Sequence, residues 1–238
     1  IFTCGAQTDN KLGIPGEDLK GSYTATEFVA WYNGHPDYRD RQFDLSQEIA
    51  VVIGQGNVAM DVSRILCKTV EELKTTDIAA HALEALSKCK VKEVHLIGRR
   101  GPAQAEFTPP EIKEFAELHD CDTIVSAEDL KLNPESEAEL ADPASAAKKK
   151  NYEILKEYSL KAPSGKPKKF VVHFFKGPKE LKGSGCIEKL VLEKNKLTGP
   201  AGKQKAEGTG QTEEMKCGIL FRSVGYRGVP IPGVPFEE

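Results

Sequence analysis

The sequence has no long run of apolar residues. Its longest apolar stretch, the 170–175 segment, is interrupted by His173 and falls far below the roughly 18 residues that a bilayer-spanning helix needs. Hydrophobic residues still make up 39% of the 238 residues, which is ordinary for a folded domain. The composition therefore excludes a membrane-spanning protein and intrinsic disorder, and it predicts one large or two small folded domains.

Clustered metal ligands are also missing. The six cysteines are scattered without a C-x-x-C pair, and the five histidines form no spaced group. A zinc site, an iron–sulfur cluster and a redox-active dithiol are therefore not expected, and we predict no metal site on this chain.

Charge is unevenly distributed along the chain. Residues 148–205 contain 16 lysines and five glutamates, a net charge of +11, whereas the rest of the chain carries −14. Such polarity can steer an acidic partner to one face. A solvated lysine-rich loop region is the alternative interpretation. Nucleic acid is not expected as a partner, because no aromatic residues alternate with the lysines as a stacking platform.

Hydrophobic periodicity predicts alternating strands and helices. A continuous β-branched run at 48–53 and a second run at 91–97 are typical of buried parallel strands, with helices at 57–66 and 77–88 between them. Helices are also expected at 24–34, with Thr24 and Glu27 as a capping box, at 108–119, with Thr108 and Glu111 in the same roles, and at 145–159. Residues 122–145, 163–169 and 196–210 are expected to be loops.

Three more strands complete the expectation. Segments 169–175 and 186–193 are predicted to form an antiparallel meander, and 217–221 is predicted to rejoin the parallel sheet. The predicted fold class is α/β: a Rossmann-like three-layer dinucleotide-binding domain with a parallel sheet and an added antiparallel β-meander.

A glycine-rich turn follows the first buried strand. The segment from Gly54 to Ala59 has the form G-x-G-x-x-A and opens a helix, which is the context that a dinucleotide-binding fingerprint requires. Gly54 permits the tight turn, Gly56 lets the backbone approach a pyrophosphate, and Ala59 permits close packing of the helix on the strand. The alternative is a tight turn without a ligand.

Two arginines stand where the second strand ends. An acidic residue at this point would accept hydrogen bonds from the ribose 2′-hydroxyl of NAD, but the sequence has Arg99 and Arg100 instead. Guanidinium groups form charge-assisted, bidentate bonds with phosphate, which favours the 2′-phosphate of NADP(H). Two arginines in a solvated loop are the alternative.

Four segments together carry a family resemblance: 54–61 (GQGNVAMD), 98–102 (GRRGP), 28–34 (FVAWYNG) and 223–226 (SVGY). The chain resembles the mitochondrial adrenodoxin reductases, the adrenodoxin-type ferredoxin-NADP reductases, over nearly its whole length. More distant flavoproteins of the same plan, such as the small subunit of glutamate synthase, stay open as an alternative.

The resemblance implies a domain division and two cofactors. Residues 44–222 match an NADP(H)-binding domain inserted into an FAD domain, with 1–43 as its edge and connector and 223–238 as the return connector. In this family hydride passes from NADPH to FAD, which then reduces a [2Fe-2S] ferredoxin by single electrons. The family's FAD glycine motif is not in this sequence, so the chain is expected to bind NADP(H) and not to turn over alone. A mitochondrial matrix location is implied by resemblance only, and peripheral membrane association is not indicated.

The resemblance also assigns roles to residues. It places Gln55, Gly56, Asn57 and Val58 at the pyrophosphate and nicotinamide half, Arg99 and Arg100 at the 2′-phosphate, and Glu111 on the adenosine ribose side. The resemblance also implies that Asp61, the catalytic candidate, helps to position the nicotinamide end. It further implies that a ferredoxin docks near Lys148, Lys149 and Lys150. Asp61 as a plain surface carboxylate and Glu111 as a plain capping residue stay open. So do two other functions for the chain, a regulatory module that senses NADP(H) without turnover and an interaction domain that uses the lysine-rich face.

Overall fold

A six-stranded parallel sheet forms the centre of the computed structural model, which describes residue 6 and residues 8–236. The strands are β1 (Thr8–Asp9), β2 (Ser22–Thr24), β3 (Ile49–Ile53), β4 (Glu93–Ile97), β5 (Cys121–Val125), β6 (Lys168–His173), β7 (Lys176–Lys182), β8 (Lys189–Thr198), β9 (Lys205–Lys216), β10 (Ile219–Arg222) and β11 (Tyr226–Arg227). The α-helices are α1 (Ala25–Tyr32), α2 (Asn57–Cys67), α3 (Val70–Lys74), α4 (Ala80–Leu86), α5 (Pro109–Glu114), α6 (Pro134–Ala141) and α7 (Ala146–Ser159).

The large sheet has the strand order β2-β10-β3-β4-β6-β5, and every neighbouring pair is parallel. Its centre is β3, whose Val51 stands opposite Leu220 of β10 on one side and His95 of β4 on the other. Parallel strands need crossover connections, and α2 to α4 supply the one between β3 and β4. The predicted strand at 217–221 is thus confirmed as a member of the parallel sheet.

Both faces of this sheet are covered, by different kinds of layer. Val52, Leu96 and Phe170 face a core built mainly with the helices. Val51 and Ile97 face a second core that contains Leu181 and Leu190 of the β7-β8-β9 sheet. Successive strand residues point to opposite faces, so a strand buried on both sides must be apolar throughout. The predicted three-layer α/β fold with an antiparallel meander is confirmed.

The composition of the meander differs from the prediction. The 169–175 run was expected in the meander, but β6 pairs in parallel with β4 and β5. The 196–210 segment was expected to be a loop, but it forms most of a long hairpin in which β8 and β9 pair antiparallel. The antiparallel layer therefore consists of β7, β8 and β9 in that order.

Two further expectations were wrong. The 122–145 segment holds β5 at the edge of the large sheet and α6, rather than loops alone. Helix α5 begins after Thr108, but the Thr108 hydroxyl makes no capping bond, and Glu111 binds Arg64 instead. The other predicted capping box is confirmed, because Thr24 accepts the Glu27 N–H and the Glu27 carboxylate accepts the Thr24 N–H.

Segments near the two ends of the described chain lie together, since β1 pairs antiparallel with β11. Near its start the chain also supplies β2 to the edge of the large sheet, next to β10. The division at residues 43/44 and 222/223 remains a prediction. No helix within residues 8–236 is both long and apolar enough to cross a bilayer.

Two imidazoles meet between neighbouring strands. His95 Nδ1 on β4 lies 3.0 Å from His173 Nε2 on β6, and the rings stack with centroids 5.3 Å apart. Burial lowers the pKa of both histidines, and for His173, with Lys176 nearby, it lowers the pKa to about 3. Both rings are therefore neutral in the folded protein near pH 7.

Acid should weaken the fold through His173. In the unfolded chain, His173 takes up a proton near its ordinary pKa of 6.5, whereas in the folded chain it does so only near its lowered pKa of about 3. Between these values, one proton more on the unfolded state lowers the free energy of unfolding by up to about 1.4 kcal/mol per pH unit. Urea unfolding at a series of pH values should show that His173→Gln flattens this dependence.

The exposed His35 offers the matched control, because His35→Gln also removes an imidazole but lies outside the buried pair. Equal pH dependence in wild type and His173→Gln would show that the buried pair does not carry the effect.

Candidate functional site

A cleft of about 550 Å³ opens at the carboxyl ends of β10, β3 and β4. Parallel strands end at the same edge of a sheet, and this edge is where open α/β folds bind ligands. The lining residues are Asn10–Leu12, Ile53–Gly56, Ile97–Arg100, Glu106, Gly177–Pro178, Asn195, Ala206 and Ser223–Gly225. Of the residues predicted to form the site, Gly54, Gln55, Gly56, Arg99 and Arg100 are thus brought together here.

The glycines of the turn differ in what limits them. Gly54 has φ +134°, and a Cβ there would lie 2.0 Å from the Ser223 carbonyl oxygen, so only glycine fits between β3 and β10. A Cβ on Gly56 would meet nothing within 4 Å. Gly54 is therefore required by the fold, whereas Gly56 leaves open space on the cleft.

The amino terminus of α2 lies beside this turn without a side-chain cap. Its N-cap residue is Gly56, and its first turn contains no acidic residue. The Asn57 side chain does not cap the helix but accepts the Thr108 N–H at 2.8 Å. Free N–H groups and the positive end of the helix dipole favour an anion at such a point.

Gln55 lies against the start of the loop 98–101 that follows β4, called the arginine loop below. Its amide packs so closely on Gly98 that a Cβ at that glycine would lie 1.8 Å from Gln55 Nε2. Gln55 Nε2 is buried and has no hydrogen-bond partner among the described residues. A buried donor without a partner is costly, and a ligand that accepts from it would remove the cost.

The two arginines stand at the end of β4, as predicted, with different surroundings. The Arg99 side chain is exposed and forms no ion pair within the part of the chain that the structure describes. Arg100 is about one-third exposed and pairs with Glu106 at 3.1 Å. Arg99 is therefore the freer of the two guanidinium groups at the cleft.

The loop that carries Asn10 to Leu12 forms another wall of the cleft. Glu17, only 5% exposed, accepts the N–H groups of Leu12 at 2.6 Å and Gly13 at 2.8 Å. The Glu17 carboxylate also pairs with Arg222 at the end of β10, 3.1 Å away. This buried ion pair ties the loop to the sheet.

Asp61 and Glu111 meet around Arg64 rather than in the cleft lining. Arg64 donates to Asp61, to Glu111 at 2.5 Å and to Glu114 at 3.2 Å. Burial raises the pKa of Asp61, although Arg64 opposes this effect. Asn57 and Val58, at the start of α2, are likewise not among the lining residues. The cluster links α2 to α5 on the helix side of the glycine turn.

The three predicted docking lysines are not equivalent. Lys148 donates at 2.7 Å to Glu139, which is 6% exposed and also accepts from Gln104 at 2.8 Å. Although burial opposes it, these contacts lower the pKa of Glu139. Lys150 pairs with Glu153 at 3.2 Å, and Lys149 is exposed on α7.

Sequence reasoning missed the meander side of the cleft. Gly177, Pro178, Asn195 and Ala206 come from β7, β8 and β9; Ala206 lies in the 196–210 segment that was expected to be a loop, and the other three lie in no predicted strand. Most residues of β9 are exposed, so apolar and polar residues hardly alternate there, and the usual sequence signal of a strand is weak.

The glycine turn, the uncapped helix and the two arginines define a Rossmann-like α/β domain of the class that holds dinucleotides at this edge. No protein-family model matches the chain. It is 43% identical over 239 residues to the NADPH-ferredoxin reductase FprA of Mycobacterium leprae. It is 41% identical over 248 residues to the mitochondrial NADPH:adrenodoxin oxidoreductase of Arabidopsis thaliana.

Solved structures that match this chain include FprA as well. A structure of FprA from Mycobacterium tuberculosis matches with a TM-score of 0.93 and 43% identity, covering 100% of this chain and 52% of that one. Another, of FprA in complex with NADPH, matches with a TM-score of 0.92 over 99% of this chain and 51% of that one. The chain spans about half the length of the curated relatives it matches. The resemblance to the adrenodoxin-type reductases is thus confirmed.

The two glycines provide a matched test of the turn. Gly54→Ala should lower the free energy of unfolding by more than about 2 kcal/mol, because the new Cβ collides with backbone at a positive φ. Gly56→Ala should cost less than about 1 kcal/mol, since it only exchanges one N-cap residue for a poorer one. Chemical denaturation of both variants measures the difference, and equal losses would contradict the assigned geometry.

Proposed function

We propose that this chain binds NADP(H) as the nucleotide-binding part of an adrenodoxin-type ferredoxin reductase. The observation that carries the proposal is the exposed Arg99 beside Arg100 at the end of β4, which line one cleft together with Gly56, the N-cap residue of the uncapped helix α2. The helix end suits a pyrophosphate, and the arginines suit a 2′-phosphate. The names of the relatives, NADPH-ferredoxin and NADPH:adrenodoxin reductases, support the same conclusion.

The residues at the cleft fit such a cofactor. Gln55 Nε2 is a buried donor that lacks a partner among residues 8–236. The space beside Gly56 is open to a ligand that approaches the backbone. Arg99 has no acidic neighbour that neutralises it within the described chain. A doubly charged phosphate beside the ribose would supply that counter-charge.

Each site residue has a proposed role. Gly54 shapes the turn, and Gln55, Gly56, Asn57 and Val58 hold the pyrophosphate and nicotinamide half. Arg99 and Arg100 bind the 2′-phosphate. Glu111, on the adenosine ribose side, and Asp61, toward the nicotinamide end, act from the cluster around Arg64, which ties the first turn of α5 to α2.

The proposed reaction belongs to the complete reductase. In that enzyme, bound NADPH would supply a hydride to FAD, and the flavin would supply one electron to each of two [2Fe-2S] ferredoxins. This chain contributes position: it holds the nicotinamide end where the flavin can receive the hydride. The names of the plant, slime-mould and fish relatives support a mitochondrial location. The mycobacterial relatives, which are at least as similar, do not bear on it.

Removing both arginines should reveal the 2′-phosphate site. Arg99→Ala with Arg100→Ala should weaken NADP⁺ binding about 10- to 100-fold, because charge-assisted bonds to a phosphate are lost. NAD⁺, which lacks this phosphate, should lose far less. Calorimetric titration of both nucleotides measures the two affinities.

Exposed Arg39 and Arg41 supply the control for that experiment, since Arg39→Ala with Arg41→Ala removes two arginine charges outside the cleft lining. Equal loss of NADP⁺ and NAD⁺ affinity in the double variant would overturn the phosphate assignment.

The docking proposal separates Lys149 from Lys148. Lys149→Glu should weaken binding of a [2Fe-2S] ferredoxin at low salt, because it reverses an exposed charge that faces an acidic partner. Lys148→Met should instead lower the free energy of unfolding by about 1–3 kcal/mol, because it leaves the buried Glu139 carboxylate without its cation. Ferredoxin titration and urea unfolding measure the two effects.

Lys74→Glu, a charge reversal on α3, controls for total charge in the ferredoxin titration. If Lys149→Glu and Lys74→Glu weaken binding equally, the patch around α7 has no specific role in docking.

A further inference from the structure

The arginine loop is held by three consecutive carbonyl groups. The Gly98 carbonyl accepts the Lys176 N–H at 3.0 Å, and the Arg100 carbonyl accepts the Phe175 N–H at 3.0 Å. Between them, the Arg99 carbonyl accepts Asn195 Nδ2 at 2.9 Å. Two of these donors are backbone groups at the start of the meander. The third donor is the side chain of Asn195, so a substitution at this position can remove it.

Asn195 is placed for this contact by an irregularity of the hairpin. The β8–β9 register shifts between Glu193 and Asn195, and Lys194 in the shift has its carbonyl capped by the Thr209 hydroxyl at 2.7 Å. The Asn195 N–H donates to the Phe175 carbonyl at 2.7 Å, which fixes its backbone against the chain beneath the loop. The amide of Asn195 is thereby directed at Arg99.

Neighbouring residues leave room for the contact and support it. A Cβ on Gly177 would lie 3.1 Å from Asn195 Nδ2, so a side chain there would press on the amide. Phe175 has a positive φ of 56°, which is rare for a bulky residue. A Cβ on Gly101 would lie 2.7 Å from the Phe175 ring. The loop is thus supported at Arg99 by Asn195 and at Gly101 by Phe175.

We propose that Asn195 is a positioning residue that sets the choice of NADP(H) over NAD(H), acting through the peptide of Arg99. This inference rests on the proposed function of the cleft. The hydrogen bond fixes the peptide plane that follows Arg99 and so the direction in which its Cα–Cβ bond leaves the backbone, which narrows the region that the exposed guanidinium can reach. A pre-positioned arginine loses less conformational entropy on binding phosphate than a mobile one. Only a ligand that carries the 2′-phosphate gains from this order.

The test compares NADP⁺ and NAD⁺ binding by calorimetry in wild type and in Asn195→Ala. One lost neutral hydrogen bond should weaken NADP⁺ binding about three- to ten-fold, with NAD⁺ binding nearly unchanged. Asn195→Leu, which keeps the branching and the number of side-chain heavy atoms but has no donor, should give the same loss of preference. Thr198→Val removes the hydrogen bond to Glu207 from the same hairpin, away from the register shift and the arginine loop, and it should keep the wild-type preference.

The outcomes separate this inference from the proposed function. A wild-type chain that binds both nucleotides equally, or neither, contradicts the proposed function itself. A wild-type preference that survives in both Asn195 variants overturns the role of Asn195 alone. A parallel loss of NADP⁺ and NAD⁺ affinity in both variants also overturns it, because a merely structural contact would damage both.

Discussion

The close approach of two strand ends governs the candidate site. β3 and β10 are neighbours in the large sheet, and where they end only a glycine at position 54 fits against the Ser223 carbonyl. The chain must turn sharply there, and α2 then starts at the cleft without a capping side chain. The helix amino terminus, the open side of Gly56 and the buried amide of Gln55 all depend on this one contact between backbones.

The antiparallel meander has two physical roles in this fold. It buries the face of the large sheet that the helices leave open, through Leu181, Leu190 and Leu192. Its inner turn and its hairpin also supply donors to consecutive carbonyl groups of the arginine loop. An element needed for the core therefore also orders the loop that faces the cleft.

The elements that depend only on neighbouring residues were predicted from the sequence. The buried run before Gly54, the helix after it, the capping box of Thr24 and the arginines at the next strand end are each readable within a few residues. The pairing of strands could not be predicted from the sequence, because a run such as 168–173 fits a parallel or an antiparallel neighbouring strand equally well. The hairpin that carries Asn195 was missed because its exposed, glycine- and lysine-containing strands resemble a loop. The links of Glu111 to Arg64 and of Lys148 to Glu139 join residues on different helices and carry no sequence signature.

The central claim is that the cleft beside Gly54 recognises a dinucleotide with a 2′-phosphate. Calorimetric titration of the unmodified chain with NADP⁺ and with NAD⁺, each at low and at high salt, tests it most directly. The account predicts saturable binding with a preference for NADP⁺ that shrinks as salt rises, because the preference comes from exposed guanidinium charge. Equal affinity for the two nucleotides, or a preference that salt does not change, would contradict it.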